Sequence, residues 1–231
     1  MHDHIPPLAM KVHQFLGWVG AGRPLTGTGE LRIADALELV GLLETGDDPT
    51  AGGHLRGLRS SRDLPGLRTL RDIAVEAGLL RTVRGRLVPV KKHAHMAATP
   101  LGVCDLLVRN VHETAPLLLS PDSEQPGLGA VVLQTLWASL ATQEVSALPV
   151  HDLHAALWAA VADNIDPGNL YPPGTTIDQA KAELAERADL VLSAYESLGL
   201  MVITHDRGTV ETTARGRQEA ERRTARLATA R

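Results

Sequence analysis

Ten basic side chains fall between residues 55 and 92: Arg56, Arg59, Arg62, Arg68, Arg71, Arg81, Arg84, Arg86, Lys91 and Lys92, against three acidic ones. Guanidinium and ammonium groups at that density suit one chemistry above others, the binding of phosphate oxygens. The flanking chain has the opposite sign. Residues 1–54 carry three basic and seven acidic groups, and residues 93–204 carry three basic and thirteen acidic; the last 27 residues are basic again, seven against four. With a formal charge of −4, a polyanion partner is excluded for the chain as a whole and stays open for the cationic segment. No aromatic residue interrupts that segment, so stacking on single-stranded bases has little support. The competing reading is an ordinary solvated face, on which Asp72 and Glu76 neutralise the arginines.

Other chemistry-bearing residues are sparse. Of the ten histidines, His2, His4 and His13 lie near the start, His93 and His95 flank Ala94, and His151 and His154 sit three apart. The last pair would share a helix face, but no third ligand stands at a metal-site spacing, so surface histidines and no metal are expected. The chain lacks a Gly-x-Ser-x-Gly nucleophile turn, a phosphate loop ending in Gly-Lys-Ser/Thr and a dinucleotide fingerprint; Gly20-Ala21-Gly22 reads as a helix stop. Cys104 is the only cysteine, which excludes an internal disulfide and a thiolate zinc cluster. It lies among Leu101, Val103, Leu106, Leu107 and Val108 and reads as a small buried hydrophobe. A redox sensor would need exposure and nearby cations, and only Arg109 is close. Trp18, Trp137 and Trp158 read as core or interface anchors. The expectation is a non-enzymatic chain with no cofactor.

The elements that must position the cations follow from hydrophobic spacing. Leu8, Val12, Phe15, Leu16 and Val19 mark a first helix, ended by Gly20 and Gly22, and Arg23 to Thr26 fit a short extended piece. Leu31, Ala34, Leu37, Val40 and Leu43, or positions close to them, mark a second helix. After a Gly/Pro/Asp-rich loop around 46–53, a third helix starts near Pro65 and ends at Gly78, with Leu67, Leu70, Ile73, Ala74 and Ala77 inward. Two β-prone runs around Arg84-Gly85-Arg86 then make a hairpin. A fourth helix is expected from Pro100 to Glu113.

The second half runs through the same order: a helix at 130–142, a short strand at Glu144–Ala147, a helix at 150–164, and a long helix opened by the capping-box spacing of Thr176 and Gln179. Its apolar stripe is Ile177, Ala180, Leu184, Ala188, Val191, Tyr195 and Leu198. A hairpin turning at Asp206-Arg207-Gly208 and a basic helix close the chain. Gly78-Leu79-Leu80 matches Gly199-Leu200-Met201, and Thr99-Pro100-Leu101-Gly102 matches Thr213-Ala214-Arg215-Gly216, which together point to an internal repeat of roughly 110 residues.

Helix, short strand, helix, helix, hairpin is the order of a winged helix. The predicted fold class is mainly α with small β-hairpins, as two tandem winged-helix (helix-turn-helix-like) units, each followed by an extra helix. The expected bounds are 1–113 for the first unit, 114–126 for a linker and 127–231 for the second. The run VETTARGRQEAERR resembles the end of many bacterial winged-helix regulators. GRPLTGTGELRIADALELV and LPGLRTLRDIAVEAGLLRTVRGRLVPVKK resemble a group of uncharacterised actinobacterial proteins, and this resemblance implies a fold without an activity.

Two functions fit this reading. The first is a DNA-binding, transcription-regulatory protein whose first unit contacts duplex DNA through Arg68, Arg71, Arg81, Arg84, Arg86, Lys91 and Lys92, with a homodimer or protein partner on the second unit. The second is a protein-interaction scaffold that binds no nucleic acid. It is favoured by the acidic third helix of the second unit, where Asp178, Glu183, Glu186, Asp189 and Glu196 face only Lys181 and Arg187. Residues Met1–Pro7 lack the pattern of a secretory signal, and no apolar run reaches the roughly 20 residues of a membrane span, so a soluble cytoplasmic protein without a membrane partner is expected.

Overall fold

The structure is a computed structural model and describes residues 5–49, 58–119, 128–141, 147–164 and 174–229. The chain divides into two compact units, Met1–Asn110 and Val111–Arg231.

In the first unit, Pro7 supplies the preset φ of an N-terminal helical position, and helix α1 runs over Pro7–Val19. Its apolar spacing buries Val12, Phe15, Leu16 and Val19. The helix stops at Gly20, whose φ of 55° few residues adopt cheaply. Strand β1 (Arg23–Pro24) follows, then helix α2 over Ile33–Leu43. The buried face of α2 is Ala36, Leu39, Val40 and Leu43. Ala34, expected inward, is exposed, because Leu31 precedes the helix and the register starts two residues later.

Helix α3 (Pro65–Glu76) is fixed at its start from a distance. Asp47 accepts the Gly66 N–H at 2.8 Å on one carboxylate oxygen and the Leu67 N–H at 2.8 Å on the other, satisfying two amides that no helical carbonyl can reach. Gly66 packs against the carbonyl of Thr45, where a Cβ would collide. The loop leaving α2 is thereby bolted to α3. At the far end Gly78, at φ 67°, turns the chain into strand β2 (Leu80–Val83). Strand β3 (Arg86–Pro89) returns antiparallel with Val83 opposite Arg86. The two residues between, Arg84 at φ 49° and Gly85 at φ 71°, make the left-handed two-residue turn whose twist matches a hairpin. The sheet order is β1-β3-β2. A 3₁₀ turn (Lys91–His93), the short helix α4 (Ala94–Ala97) and helix α5 (Pro100–Leu119) complete the run.

The second unit repeats this order with helix α6 (Leu128–Ala141), strand β4 (Leu148–Pro149), helices α7 (Val150–Asn164) and α8 (Ile177–Ser197), strands β5 (Met201–Thr204) and β6 (Thr209–Thr212), and helix α9 (Ala214–Thr229). Its sheet order is β4-β6-β5. The correspondence extends to single bonds. Leu25 N–H donates to Gly85 O at 2.8 Å in one unit, and Val150 N–H to Gly208 O at 2.8 Å in the other. Pro24 and Pro149 both lie on the short outer strand, where the ladder bond a proline cannot make is not required. Thr99 Oγ1 accepts the Gly102 N–H at 3.1 Å, and Thr213 Oγ1 the Gly216 N–H at 3.0 Å. Each glycine abuts a backbone carbonyl, of Met96 and Leu200 respectively.

Several expectations are corrected. The fourth helix continues to Leu119, so the first six residues of the expected linker 114–126 are helical, and the division between units falls inside α5 rather than after it. The rest of that linker lies outside the described residues. The short strand expected at Glu144–Ala147 is found at Leu148–Pro149; Glu144 to Ser146 lie outside the described residues. Thr176 and Gln179 do form a capping box, but Ile177 is 59% exposed instead of joining the stripe. The architecture is mainly helical with two small three-stranded antiparallel sheets. Among the described residues, no helix is long and apolar enough to cross a membrane.

Candidate nucleic-acid interface

The β2–β3 ribbon sorts its side chains by the two-residue period of a strand. Leu80 and Leu87 are buried on one face. The paired residues Arg81 with Val88, and Val83 with Arg86, therefore share the opposite, outer face. Arg81 and Arg86 are diagonal neighbours there, a relation that places Cβ atoms about 7 Å apart. Arg84 stands at the turn, exposed. The ribbon thus presents three arginines on one side and at its tip.

Their freedom differs. Among the described residues Arg81, Arg84, Lys91 and Lys92 are exposed and make no side-chain hydrogen bond or ion pair. Arg86 Nη2 donates to Gly22 O at 2.7 Å, which ties one corner of the guanidinium while its other nitrogens make no hydrogen bond among the described residues. Gly22 allows this close approach, since a Cβ there would lie 2.8 Å from Val88 Cγ1. Lys91 and Lys92, expected on the hairpin, belong to the 3₁₀ turn that follows it. Arg68 projects from α3 and lies 3.6 Å from Asp72, one helical turn on, with both side chains more than half exposed. Such a pair is loose and contributes about 0.3–0.5 kcal/mol. With Glu76 also exposed, the outward face of α3 is nearly neutral.

Arg71 is a correction. It is only 18% exposed, its Nη1 lies 3.0 Å from Glu30 Oε2, and its Nη2 donates to Gly29 O at 2.8 Å. Glu30 also receives Arg62 Nε at 2.8 Å and the Ser61 hydroxyl at 3.2 Å. Burial pushes the Glu30 carboxyl up, but the Arg62 hydrogen bond, the Arg71 charge and the Ser61 hydroxyl outweigh it and hold the group below its usual range. Arg71 and Glu30 are parts of the scaffold, clamping the loop before α2 to α3.

At the strand positions equivalent to Arg81 and Arg86 the second unit carries no cation. Its outer face pairs Val202 with Glu211 and Thr204 with Thr209, and Arg207 alone is basic in the turn. The carboxylates of α8 are largely spent inside the unit. Glu183 pairs with Arg187, Asp189 lies 2.9 Å from His154 Nε2, and Glu196 accepts the Ile203 N–H at 2.8 Å. His151 sits 3.1 Å from Asp152, and among the described residues no group of three or more His, Cys, Asp and Glu is placed to hold a metal. Cys104 is fully buried, as are most of Trp18 and Trp137; Trp158 is half-buried with Lys181 Nζ 5.6 Å above its ring.

A polar cluster in the second unit had no signal in the sequence. His112 Nδ1 lies 2.7 Å from the Tyr195 hydroxyl, which also accepts from Trp137 Nε1 at 3.4 Å, and His112 Nε2 lies 3.5 Å from Glu219 Oε1. A carboxylate, an imidazole and a hydroxyl in line suit proton transfer, but Tyr195 is 0% exposed, so no substrate reaches the hydroxyl. The four residues come from α5, α6, α8 and α9, a convergence visible only once the helices pack.

Comparison with known proteins finds no matching family model, no matching curated protein and no matching solved structure.

Proposed function

We propose that the chain is a non-enzymatic, duplex-DNA-binding protein of regulatory type, built as two tandem winged-helix units, of which the first engages DNA through its β-ribbon. The element order and the strand order of each three-stranded sheet support the winged-helix assignment, with β2–β3 and β5–β6 as wings. One observation carries the DNA reading: Arg81 and Arg84 stand on the outer face and tip of the first ribbon without a carboxylate partner among the described residues, beside the partly tethered Arg86. Cations arranged this way meet a row of phosphates with little reorganisation. The connection from Leu43 to Pro65 is far longer than the three or four residues of a usual helix-turn-helix, and α3 is nearly neutral outside. Both facts put the weight of binding on the ribbon, with Arg68 and the Lys91–Lys92 pair as flanking contacts.

Fluorescence anisotropy of the full chain with a labelled duplex tests this. The Arg81→Glu/Arg84→Glu variant is expected to weaken binding at least tenfold, about 1.4 kcal/mol. Unchanged affinity, or no binding by the wild type below about 50 µM at low salt, contradicts the proposal.

A protein partner or a second copy on the second unit is the companion reading. It is favoured by the exposure of Ile177, Leu190 and Val202 at 59%, 60% and 52% on a unit whose ribbon has no cation on its outer strand face.

A further inference from the structure

We propose that the first unit holds a second anion site, apart from the ribbon, that takes the phosphate group of a small phosphate monoester. A cavity of about 530 Å³ lies between the segment joining β1 to α2 and residues 59–62, a size within the roughly 300–1,000 Å³ of small-molecule sites. Arg32, Arg59 and Arg62 line it together with Glu30, Thr28, Ser60 and Ile33.

The donors there are free to bind. Arg32 and Arg59 are exposed and, among the described residues, their side chains make no hydrogen bond or ion pair, though the Arg59 charge acts on the Asp63 carboxylate. Arg62 spends only Nε on Glu30, leaving two Nη groups. Ser60 Oγ accepts the Arg62 N–H at 3.3 Å, and its own proton has no acceptor among the described residues. The one carboxylate in the lining, Glu30, is already engaged. Both oxygens of Glu30 are engaged by Arg62, Arg71 and Ser61, and Asp63 Oδ2 accepts the Arg59 and Ser60 N–H groups at 2.8 and 3.1 Å. The cavity thus gathers three guanidinium groups beside one lining carboxylate, Glu30, whose oxygens are already engaged, and an anion entering it meets the unused donors of Arg32, Arg59 and Arg62.

Two further features narrow the ligand. Helix α2 begins at this cavity with Arg32 as its N-cap and no side-chain cap, so its first amides favour negative charge. The wall includes buried Leu31 and the 39% exposed Ile33, an apolar surface that free inorganic phosphate cannot use. A phosphate monoester with a flat or apolar body uses both parts. Fork-shaped guanidinium donors bind its phosphate oxygens in pairs.

The test uses the full chain with adenosine 5′-monophosphate as probe, and adenosine and inorganic phosphate as controls at equal ionic strength. At ten times its dissociation constant the monophosphate is expected to raise the melting midpoint by about 5 °C, adenosine to leave it unmoved, and inorganic phosphate to bind at least tenfold more weakly. Arg32→Ala/Arg59→Ala, two exposed substitutions that spare the Glu30 clamp, is expected to abolish the rise while keeping duplex affinity within about twofold. No response to the monophosphate, an equal response to adenosine, or a response retained in the double variant overturns the site. A loss of duplex affinity as large as that of Arg81→Glu/Arg84→Glu also overturns it, assigning these arginines to the DNA backbone. The monophosphate arm reads out whether or not the chain binds DNA.

Discussion

Arg84 occupies a left-handed backbone position, φ 49°, that asparagine and glycine fill at lower energy. The side chain is exposed and makes no hydrogen bond or ion pair among the described residues, so the fold gains little in return. Strain of this kind tends to persist where the side chain is used. Arg84→Asn is therefore expected to raise stability by about 0.5–1 kcal/mol in urea unfolding while weakening duplex binding; a variant that loses stability contradicts the argument. Glu30 shows the opposite balance, a charge kept for the scaffold. Glu30→Gln leaves the largely buried Arg71 without a neutralising charge, and is expected to cost about 2–3 kcal/mol near neutral pH. The sign of its pH dependence follows from the lowered carboxyl. The stabilisation is complete above the ordinary value of 4.5 and is lost as pH falls through the lower folded value. The gap between wild type and variant should then close below pH 4.5, which unfolding curves at several pH values would show. Sequence alone could not separate Arg71 from its neighbours. Its partner lies 41 residues away in the chain, and no local pattern encodes that pairing.

At the scale of elements, the placement of α3 depends on a loop-borne carboxylate. Asp47→Ala removes the acceptor for two helix N–H groups and is expected to cost about 1–2 kcal/mol. Gly66→Ala, which forces a Cβ against Thr45 O, should cost at least as much, both read from denaturant midpoints. In the second unit Tyr195→Phe deletes the oxygen shared by His112 and Trp137 and is expected to cost about 1–2 kcal/mol, with the near-ultraviolet signal of Trp137 changing in the folded state. Most elements were legible, because apolar spacing and glycine stops are local signals: Gly78 and Gly199 mark where the chain turns into each ribbon, and Thr176 with Gln179 marks the start of α8. The errors have local causes too. Strand β4 is two residues long and includes Pro149, too short for alternation to register. Helix α5 runs through Pro116, a residue that reads as a stop although the helix passes it. The Asp47 cap was invisible because it reaches α3 from outside the helix's own sequence.

At the scale of the molecule, one framework carries two surfaces. Equivalent bonds hold both ribbons, yet Arg81 and Arg86 of the first correspond to Val202 and Thr209 of the second. The charge pattern of the sequence foretold that difference in segments, and of the seven candidate residues the geometry puts Arg81, Arg84 and Arg86 on the ribbon, Lys91 and Lys92 on the turn after it, and Arg71 in an internal ion pair. A substitution in the second ribbon, Arg207→Ala, is therefore expected to leave duplex affinity within about twofold. The proposal that the first ribbon meets phosphate directly is tested most sharply by the salt dependence of duplex binding in the full chain. If Arg68, Arg81, Arg84, Arg86, Lys91 and Lys92 each neutralise one phosphate, the logarithm of affinity falls with the logarithm of salt at a slope of about −5.4, and Arg84→Ala flattens it by about 0.9. A slope near zero, or one that Arg84→Ala leaves unchanged, contradicts the account.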